Sequence, residues 1–295
     1  MEMHEKLARR VREVEEVIVR YLPKEEGHQK TVIEAMNYSV RAGGKRLRPM
    51  LMQETYRLFG GHGQEVEPFM AAIEMIHTSS LIHDDLPCMD NDELRRGLPT
   101  TWVKYGYDIA VLAGDAFLIY AMETAAKACF MAKDTGLVAR AMGLLAHKTG
   151  IYGMIGGQVV DVELTNQPLS REKLDFIYRL KTSALLEASM MIGALLGGAD
   201  DKCLESVEQM ASAVGLAFQI QDDILDVTAT TEQLGKPALS DEKNQKTTYV
   251  TLEGIDKAQA DVAKISAQAI ERLHCLPGEN PFLEELIQML ITRKK

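Results

Sequence analysis

A chain of 295 residues, 46% of them hydrophobic, can bury a large core as one big domain or two small ones. Only 6% of residues are aromatic, and Ala, Leu, Met and Glu are plentiful, which favours helices over strands. The formal net charge of −10 argues against a nucleic-acid partner, and four scattered cysteines without a CxxC pair indicate neither a disulfide framework nor a zinc site. The amino-terminal MEMHEKLARRVREVEE lacks a signal-peptide core and no run of 18 apolar residues occurs, so the expectation is a cytoplasmic chain without a membrane span.

Residues 5–20 read as an amphipathic helix ended by Pro23 and Gly27, and a second helix runs from about Gln29 to Arg41, stopping at Gly43-Gly44. Lys45-Arg46-Leu47-Arg48-Pro49 opens a third, with Pro49 in its first turn. Lys45 and Arg48 thus sit at a helix amino terminus, where free N–H groups already favour an anion. The helix from Glu67-Pro68 to Asp84-Asp85 is apolar nearly all round, as befits the centre of a bundle. On it His77 lies on the stripe of Asp84, about 10 Å away, with Ser80 between them. A buried, hydrogen-bonded histidine and a ligand-contacting one both fit that position.

A long small-residue helix over 108–130 carries Phe117, Tyr120 and Met122, and another over 137–155 precedes Gly156-Gly157-Gln158-Val159-Val160-Asp161. Ser170 is the expected N-cap of one continuous helix that includes Lys181-Thr182, where the lysine either snorkels to the surface or faces a polar cavity. An acidic helix over 203–227 leads into the polar stretch 228–249, which contains Lys236 and Lys246 and reads as a lid. Two more helices close the chain.

Residues 77–97 pack Asp84, Asp85, Asp90 and Asp92 closely together, with Arg95 and Arg96 directly behind. Like charges this close repel, and the economical remedy is a hard divalent ion of the Mg²⁺ type that bridges to a phosphate-bearing ligand. Asp84 and Asp90 fall on different faces of an ideal helix, but Pro87 breaks the helix and lets a loop swing Asp90 back. The second cluster, FQIQDDILD over 218–226, places Asp222 and Asp226 on one helical face, with Gln219 one turn earlier on that face.

Together, GGKRLRP (43–49), EMIH (74–77), SLIHDDLPCMDNDELRRG (80–97), GDAF (114–117), GGQVVD (156–161), KTSALLE (181–187), FQIQDDILD and GKP (235–237) resemble the trans-isoprenyl diphosphate synthases, specifically the bacterial farnesyl/geranylgeranyl diphosphate synthase group, over nearly the whole chain. The resemblance implies an all-α, single-domain helical bundle over 1–295 around a deep central cavity, usually a homodimer, with the two acidic motifs facing each other. It implies a prenyltransferase that condenses isopentenyl diphosphate head-to-tail with dimethylallyl, geranyl or farnesyl diphosphate. By the same resemblance Asp84, Asp90 and Asp222 hold several Mg²⁺ ions, supported by Asp85, Asp223 and Asp226. Arg95, Lys181, Thr182, Gln219, Lys236 and Lys246 match allylic-diphosphate positions, of which Lys181, Thr182, Gln219 and Lys236 are the expected catalytic set. Lys45, Arg48, His77 and Arg96 match the isopentenyl diphosphate site.

Farnesyl-forming relatives commonly carry Tyr or Phe five residues before the first aspartate. Here Ser79 and then Ser80 imply an open pocket floor and favour a C20 product over C15, unless Phe117, Tyr120 or Met154 closes it. Three other readings compete. A class I terpene cyclase would not need GGKRLRP or a second DDxxD. A non-catalytic partner subunit would not need complete acidic motifs. A ferritin-like di-iron bundle could use the Glu-x-x-His pairs Glu74/His77 and Glu271/His274 but leaves both aspartate clusters unexplained.

Overall fold

The computed structural model describes residues 2–165, 167–228 and 247–292, so Lys236, Lys246, most of the expected lid and Arg293-Lys294-Lys295 lie outside the described residues. The architecture is all-α. Among the described residues the only strands are Leu94–Arg95 and Leu98–Pro99, paired antiparallel. The helices gather into two compact units, one of Met1–Gln53 and His62–Leu145, the other of Glu54–Gly61 and Ala146–Lys295.

The first unit contains α1 (Glu2–Arg20), α2 (Lys30–Arg41), the start of α3 (Leu47–Leu58), α4 (Glu67–Asp84), α5 (Thr101–Tyr105), α6 (Tyr107–Ala126) and most of α7 (Thr135–Thr149). Helix α4 is its axis, since Phe69, Met70, Ala71, Ala72, Ile73, Met75 and Ile76 have no solvent exposure. Helix α6 packs along it through Ala110, Ala113, Gly114, Phe117 and Ala121, a row spaced as one helical face. The small residues set how closely the two helices approach. A Cβ at Gly114 would overlap the His83 ring, so only glycine leaves room for that histidine. The segment Tyr107–Phe130 is, by length and composition alone, apolar enough to cross a membrane, which the lack of an unbroken apolar run in the sequence does not reveal. Its inner face is instead the packing surface for α4.

The second unit is built from α8 (Met154–Glu163), α9 (Arg171–Ile177), α10 (Ala184–Leu196), α11 (Asp201–Thr228), α12 (Tyr249–Glu253), α13 (Ile255–His274) and α14 (Pro281–Thr292). Every residue of α10 is buried, and α11 packs on α10, α13 and α14. Two sequence expectations change here. The helix expected over 137–155 stops at Thr149, and α8 starts afresh at Met154, because the backbone at Gly153 folds so tightly on Lys148 that any Cβ would overlap it. The helix expected to run unbroken from Arg171 is interrupted by a π-helical turn, Tyr178–Ser183, although Ser170 does cap its start by accepting from the Lys173 N–H. Ser183 Oγ closes that wider turn on the Tyr178 carbonyl at 3.2 Å. The extra residue shifts Lys181 and Thr182 out of the register an unbroken α-helix would give them.

Candidate active site

The cationic candidates Lys45, Arg48 and Arg96 lie in the first unit. The chain leaves α2 through Gly43 and Gly44, and Arg46 then takes a left-handed backbone conformation, φ 50°. Its guanidinium turns inward and donates to Glu74 Oε1 and to the Val40 carbonyl, each at 2.6 Å. Both side chains of this ion pair are 3% exposed. The pair ties the basic loop to α4 one turn below His77. Arg46 and Glu74 are therefore structural members of the site that the sequence did not single out. The signal was present in the Glu of EMIH, a carboxylate on an otherwise apolar helix. The pair also removes the di-iron reading: Glu74 is committed to Arg46, and His274 bonds Glu284 at 3.2 Å.

The RRG string forms a hairpin tip. Arg96 and Gly97 have φ 56° and 79°, the signs of a type I′ turn, and Arg95 pairs with Leu98. Tyr38 Oη donates to the Pro99 carbonyl and the Ser39 and Thr101 hydroxyls hydrogen-bond, both at 2.7 Å, which docks the hairpin on α2. Arg96 extends from the tip over Gly44, where a Cβ would lie only 2.9 Å from its guanidinium. Burial, followed by the charges of Arg48, Arg96, Arg95 and Arg46, pushes His77 well below the ordinary imidazole range, so it is neutral at pH 7. Among the described residues no carboxylate lies within ion-pair distance of Lys45, Arg48 or Arg96. Burial pulls the Arg48 guanidinium down, and Glu74 only partly compensates.

At the end of α4 the loop returns as expected, with the Asp90 N–H donating to the Asp84 carbonyl at 2.8 Å. Asp84 is part-exposed and Asp90 is exposed at the loop surface. Asp85 is buried and receives Arg95 in a fork, Nε to Oδ1 at 2.7 Å and Nε to Oδ2 at 2.9 Å, with Nη2 to Oδ1 at 2.5 Å. Burial lowers the Arg95 pKa, but the bond to Asp85 outweighs it and the net direction is upward. Ser79 is buried and donates to the Gly114 carbonyl at 2.9 Å, while Ser80 donates to the His77 carbonyl at 2.8 Å. The small side chain at 79 thus serves the packing of α4 on α6.

In the second unit the candidate residues gather around the π-turn. A Cβ at Gly157 would overlap the Lys181 backbone, so this glycine lets α8 lie against the turn. One turn later on the same face, Asp161 accepts from Lys181 Nζ at 2.5 Å. Gly215 plays the same part on α11, where a Cβ would overlap Ser183, and one turn later Gln219 Oε1 accepts from the Thr182 hydroxyl at 3.1 Å. Lys181 therefore faces a cavity of about 150 Å³, lined also by Asp161, Tyr178, Thr182, Gln219 and Asp223. The snorkelling alternative is set aside.

The unbroken helix α11 keeps Gln219 one turn before Asp222, as the spacing expects, and its bonds run to Thr182 and, at 3.5 Å, to Asp223. Asp223 is buried and accepts from Tyr178 Oη at 2.5 Å and from the Tyr249 N–H at 2.8 Å. Asp222 is part-exposed. Among the described residues no group of three His, Cys, Asp or Glu side chains is gathered to hold a metal ion. Asp84, Asp90 and Asp222 each offer hard carboxylate oxygens, the ligand type that Mg²⁺ takes.

The sequence profile of the polyprenyl synthetase family matches residues 29–276. The chain is 47% identical over 241 residues to a geranylgeranyl pyrophosphate synthase, chloroplastic, of Capsicum annuum, covering 81% of this chain and 65% of that protein. It spans about two thirds of the length of the curated relatives it matches first. Among solved structures it is similar to an FPP/GFPP synthase from Zymomonas mobilis, with TM-score 0.87, 31% identity and 99% of each chain covered. It is also similar to a geranyltransferase from Helicobacter pylori complexed with magnesium and isoprenyl diphosphate, with TM-score 0.82, 32% identity and 97% and 96% of the two chains covered. With the GGKR loop, the RRG hairpin and the Lys-Thr π-turn all in place, the chain belongs to the polyprenyl synthetase family.

Proposed function

We propose that this chain is a short-chain trans-prenyltransferase that condenses isopentenyl diphosphate head-to-tail with allylic diphosphates. The observation that carries it is that Arg48 and Arg96, whose charges act on a neutral His77, and Lys45 of the same basic loop as Arg48 have no carboxylate in ion-pair distance among the described residues. Such a group keeps its charge for a polyanion, and Arg46, not the substrate, answers Glu74. A neutral imidazole can donate a hydrogen bond there without adding another positive charge.

In this reading Lys181, which pairs with Asp161, and Arg95, which pairs with Asp85 and at 3.7 Å with Asp92, serve the allylic diphosphate. They offset negative charge that grows on the departing diphosphate. The Thr182 hydroxyl and Gln219 carbonyl supply dipoles toward the developing allylic cation without a strong nucleophile. Asp84, Asp90 and Asp222 are the residues that would hold Mg²⁺, which when bound stabilises the leaving diphosphate as a Lewis acid. No side chain is an obvious dedicated base, so the released diphosphate takes the final proton.

The product we favour is C20, geranylgeranyl diphosphate, in keeping with the name of the Capsicum annuum relative and with serines at 79 and 80. A homodimer is part of the proposal: the outward face of α6 leaves Leu112 55% and Ile119 74% exposed, an apolar surface suited to a second copy. Light scattering checks it, and a monomer at micromolar concentration would count against it.

The deciding experiment incubates the purified protein with Mg²⁺, isopentenyl diphosphate and each of dimethylallyl, geranyl and farnesyl diphosphate, then sizes the extracted alcohols. A C20 product with farnesyl diphosphate accepted supports the proposal. A stop at C15 would replace the product assignment. The absence of condensation with every primer would overturn the catalytic reading in favour of a partner subunit.

A further inference from the structure

The Gln219 side chain has two ends of opposite polarity, and its neighbours decide which one faces Thr182. Tyr178 Oη at 2.5 Å and the Tyr249 N–H at 2.8 Å both donate to Asp223 Oδ2. That leaves Oδ1 turned toward Gln219, whose Nε2 lies 3.5 Å away. A carboxylate oxygen only accepts, so the NH₂ end of the amide belongs on its side. At this length the contact is an electrostatic preference more than a strong bond. The Thr182 hydroxyl, 3.1 Å from Gln219, can donate or accept and so imposes no choice. Asp223 therefore selects the orientation.

The carboxylate itself is clamped. Tyr249 is buried, its hydroxyl donates to Asp261 Oδ2 at 2.6 Å, and the Arg171 guanidinium lies 4.1 Å from its ring centroid. Tyr178 belongs to the π-turn that also carries Lys181 and Thr182. Movement of Asp223 would have to disturb both anchors.

We infer that Asp223 is a positioning residue that holds the Gln219 amide with its carbonyl oxygen, not its NH₂ group, toward the cleft of Lys181 and Thr182. The inference rests on the prenyltransferase reading of that cleft, where an inverted amide would set partial positive charge against a developing cation. The burial of Asp223 thus has a directional consequence for a neighbouring group as well as a structural one.

Asp223→Asn tests it. The new side chain has the same shape, and its carbonyl can still accept from Tyr178 and Tyr249. Its NH₂ then faces Gln219 and obliges that amide to turn over. The expected result is a kcat about a hundredfold lower, with the KM for isopentenyl diphosphate and the melting temperature unchanged. Adding Gln219→Glu returns an oxygen to the cleft and gives the amide introduced at position 223 an acceptor, so the double variant should recover about tenfold over the single one. A single variant within twofold of the parent, or a double variant no better than the single, would overturn the inference. A readout independent of turnover is the side-chain amide spectrum of ¹⁵N-glutamine-labelled protein, with Gln219 assigned through Gln219→Met. Its NH₂ shifts and exchange rate should change in Asp223→Asn. If the parent protein condenses no primer, the prenyltransferase reading fails by itself, and unchanged Gln219 resonances would then reject the orientation claim separately.

Discussion

Each unit carries an adjacent aspartate pair, and the two pairs solve one problem by different means. In both, the second aspartate is 2% exposed, Asp85 in one and Asp223 in the other, while Asp84 and Asp222 remain part-exposed. Neighbouring residues on a helix point about 100° apart, so one member can be turned into the protein while the other stays accessible. Asp85 is answered by a full charge, the forked Arg95 guanidinium. Asp223 accepts from a phenol and a backbone N–H. The difference matters for what each can then do. The ion pair fixes the geometry of Arg95 and brings it a carboxylate partner. The two donors on Oδ2 of Asp223 leave its other oxygen, Oδ1, 3.5 Å from the Gln219 amide. An aspartate-rich motif is thus not a uniform set of metal ligands.

The sharpest way to break this comparison is to truncate the accessible members. Asp84→Ala and Asp222→Ala should each lower kcat by about 10²–10³ or more, as loss of a transition-state stabiliser does, with little change in melting temperature. A large stability loss with either would mean that these carboxylates are structural after all. Next in size is Arg95→Ala, which strands Asp85 in a buried position. The expected destabilisation is about 2–3 kcal/mol, below the full cost of a broken buried pair because Arg95 is 30% exposed. Chemical denaturation measures it, and Asp85→Asn in the Arg95→Ala background should restore part of the loss.

Arg96→Asn separates function from stability. Asn suits the left-handed turn position that Arg96 occupies at φ 56°, so the fold should gain up to about 1 kcal/mol. The KM for isopentenyl diphosphate should nevertheless rise about tenfold, since one charge-assisted contact is worth about 1.5–3 kcal/mol. An unchanged KM would remove Arg96 from the substrate site. Tyr178→Phe, which deletes one neutral hydrogen bond to Asp223, should cost only about 1 kcal/mol. A loss as large as that of Arg95→Ala would erase the distinction between the two pairs.

The smallest effect concerns pH. His77 in the folded chain binds a proton only well below its ordinary value of 6.5, whereas the unfolded chain binds it near that value. The unfolded state therefore holds more protons below pH 6.5, and the stability present above that value declines as pH falls through it. His77→Asn should show a shallower decline in melting temperature between pH 7 and the folded-state pKa. A parallel decline in both proteins would rule out a shifted His77.

What is legible in the sequence is what local pattern and charge determine. The apolar α4, the glycine stop before the basic loop, the Ser170 cap and the return of Asp90 after Pro87 each follow from backbone preference within a few residues. The basic strings beside two acidic motifs in the sequence point to phosphate chemistry, the reading proposed above. Residues that act through distant partners are not legible. Arg46 looks like one more basic residue until its bond to Glu74, and the π-turn at Lys181 is invisible because an inserted residue leaves the composition of a helix unchanged. The partner of Gln219 escapes for a related reason: helical periodicity states which residues share a face, not which side chain on the next helix that face meets. Gly157 and Gly215 decide that by permitting close backbone approach. Residue order alone was enough for the helical class and the family motifs. Which carboxylates are buried and which stay part-exposed was settled by packing, because burial and hydrogen-bond partners arise from contacts between segments far apart in the chain.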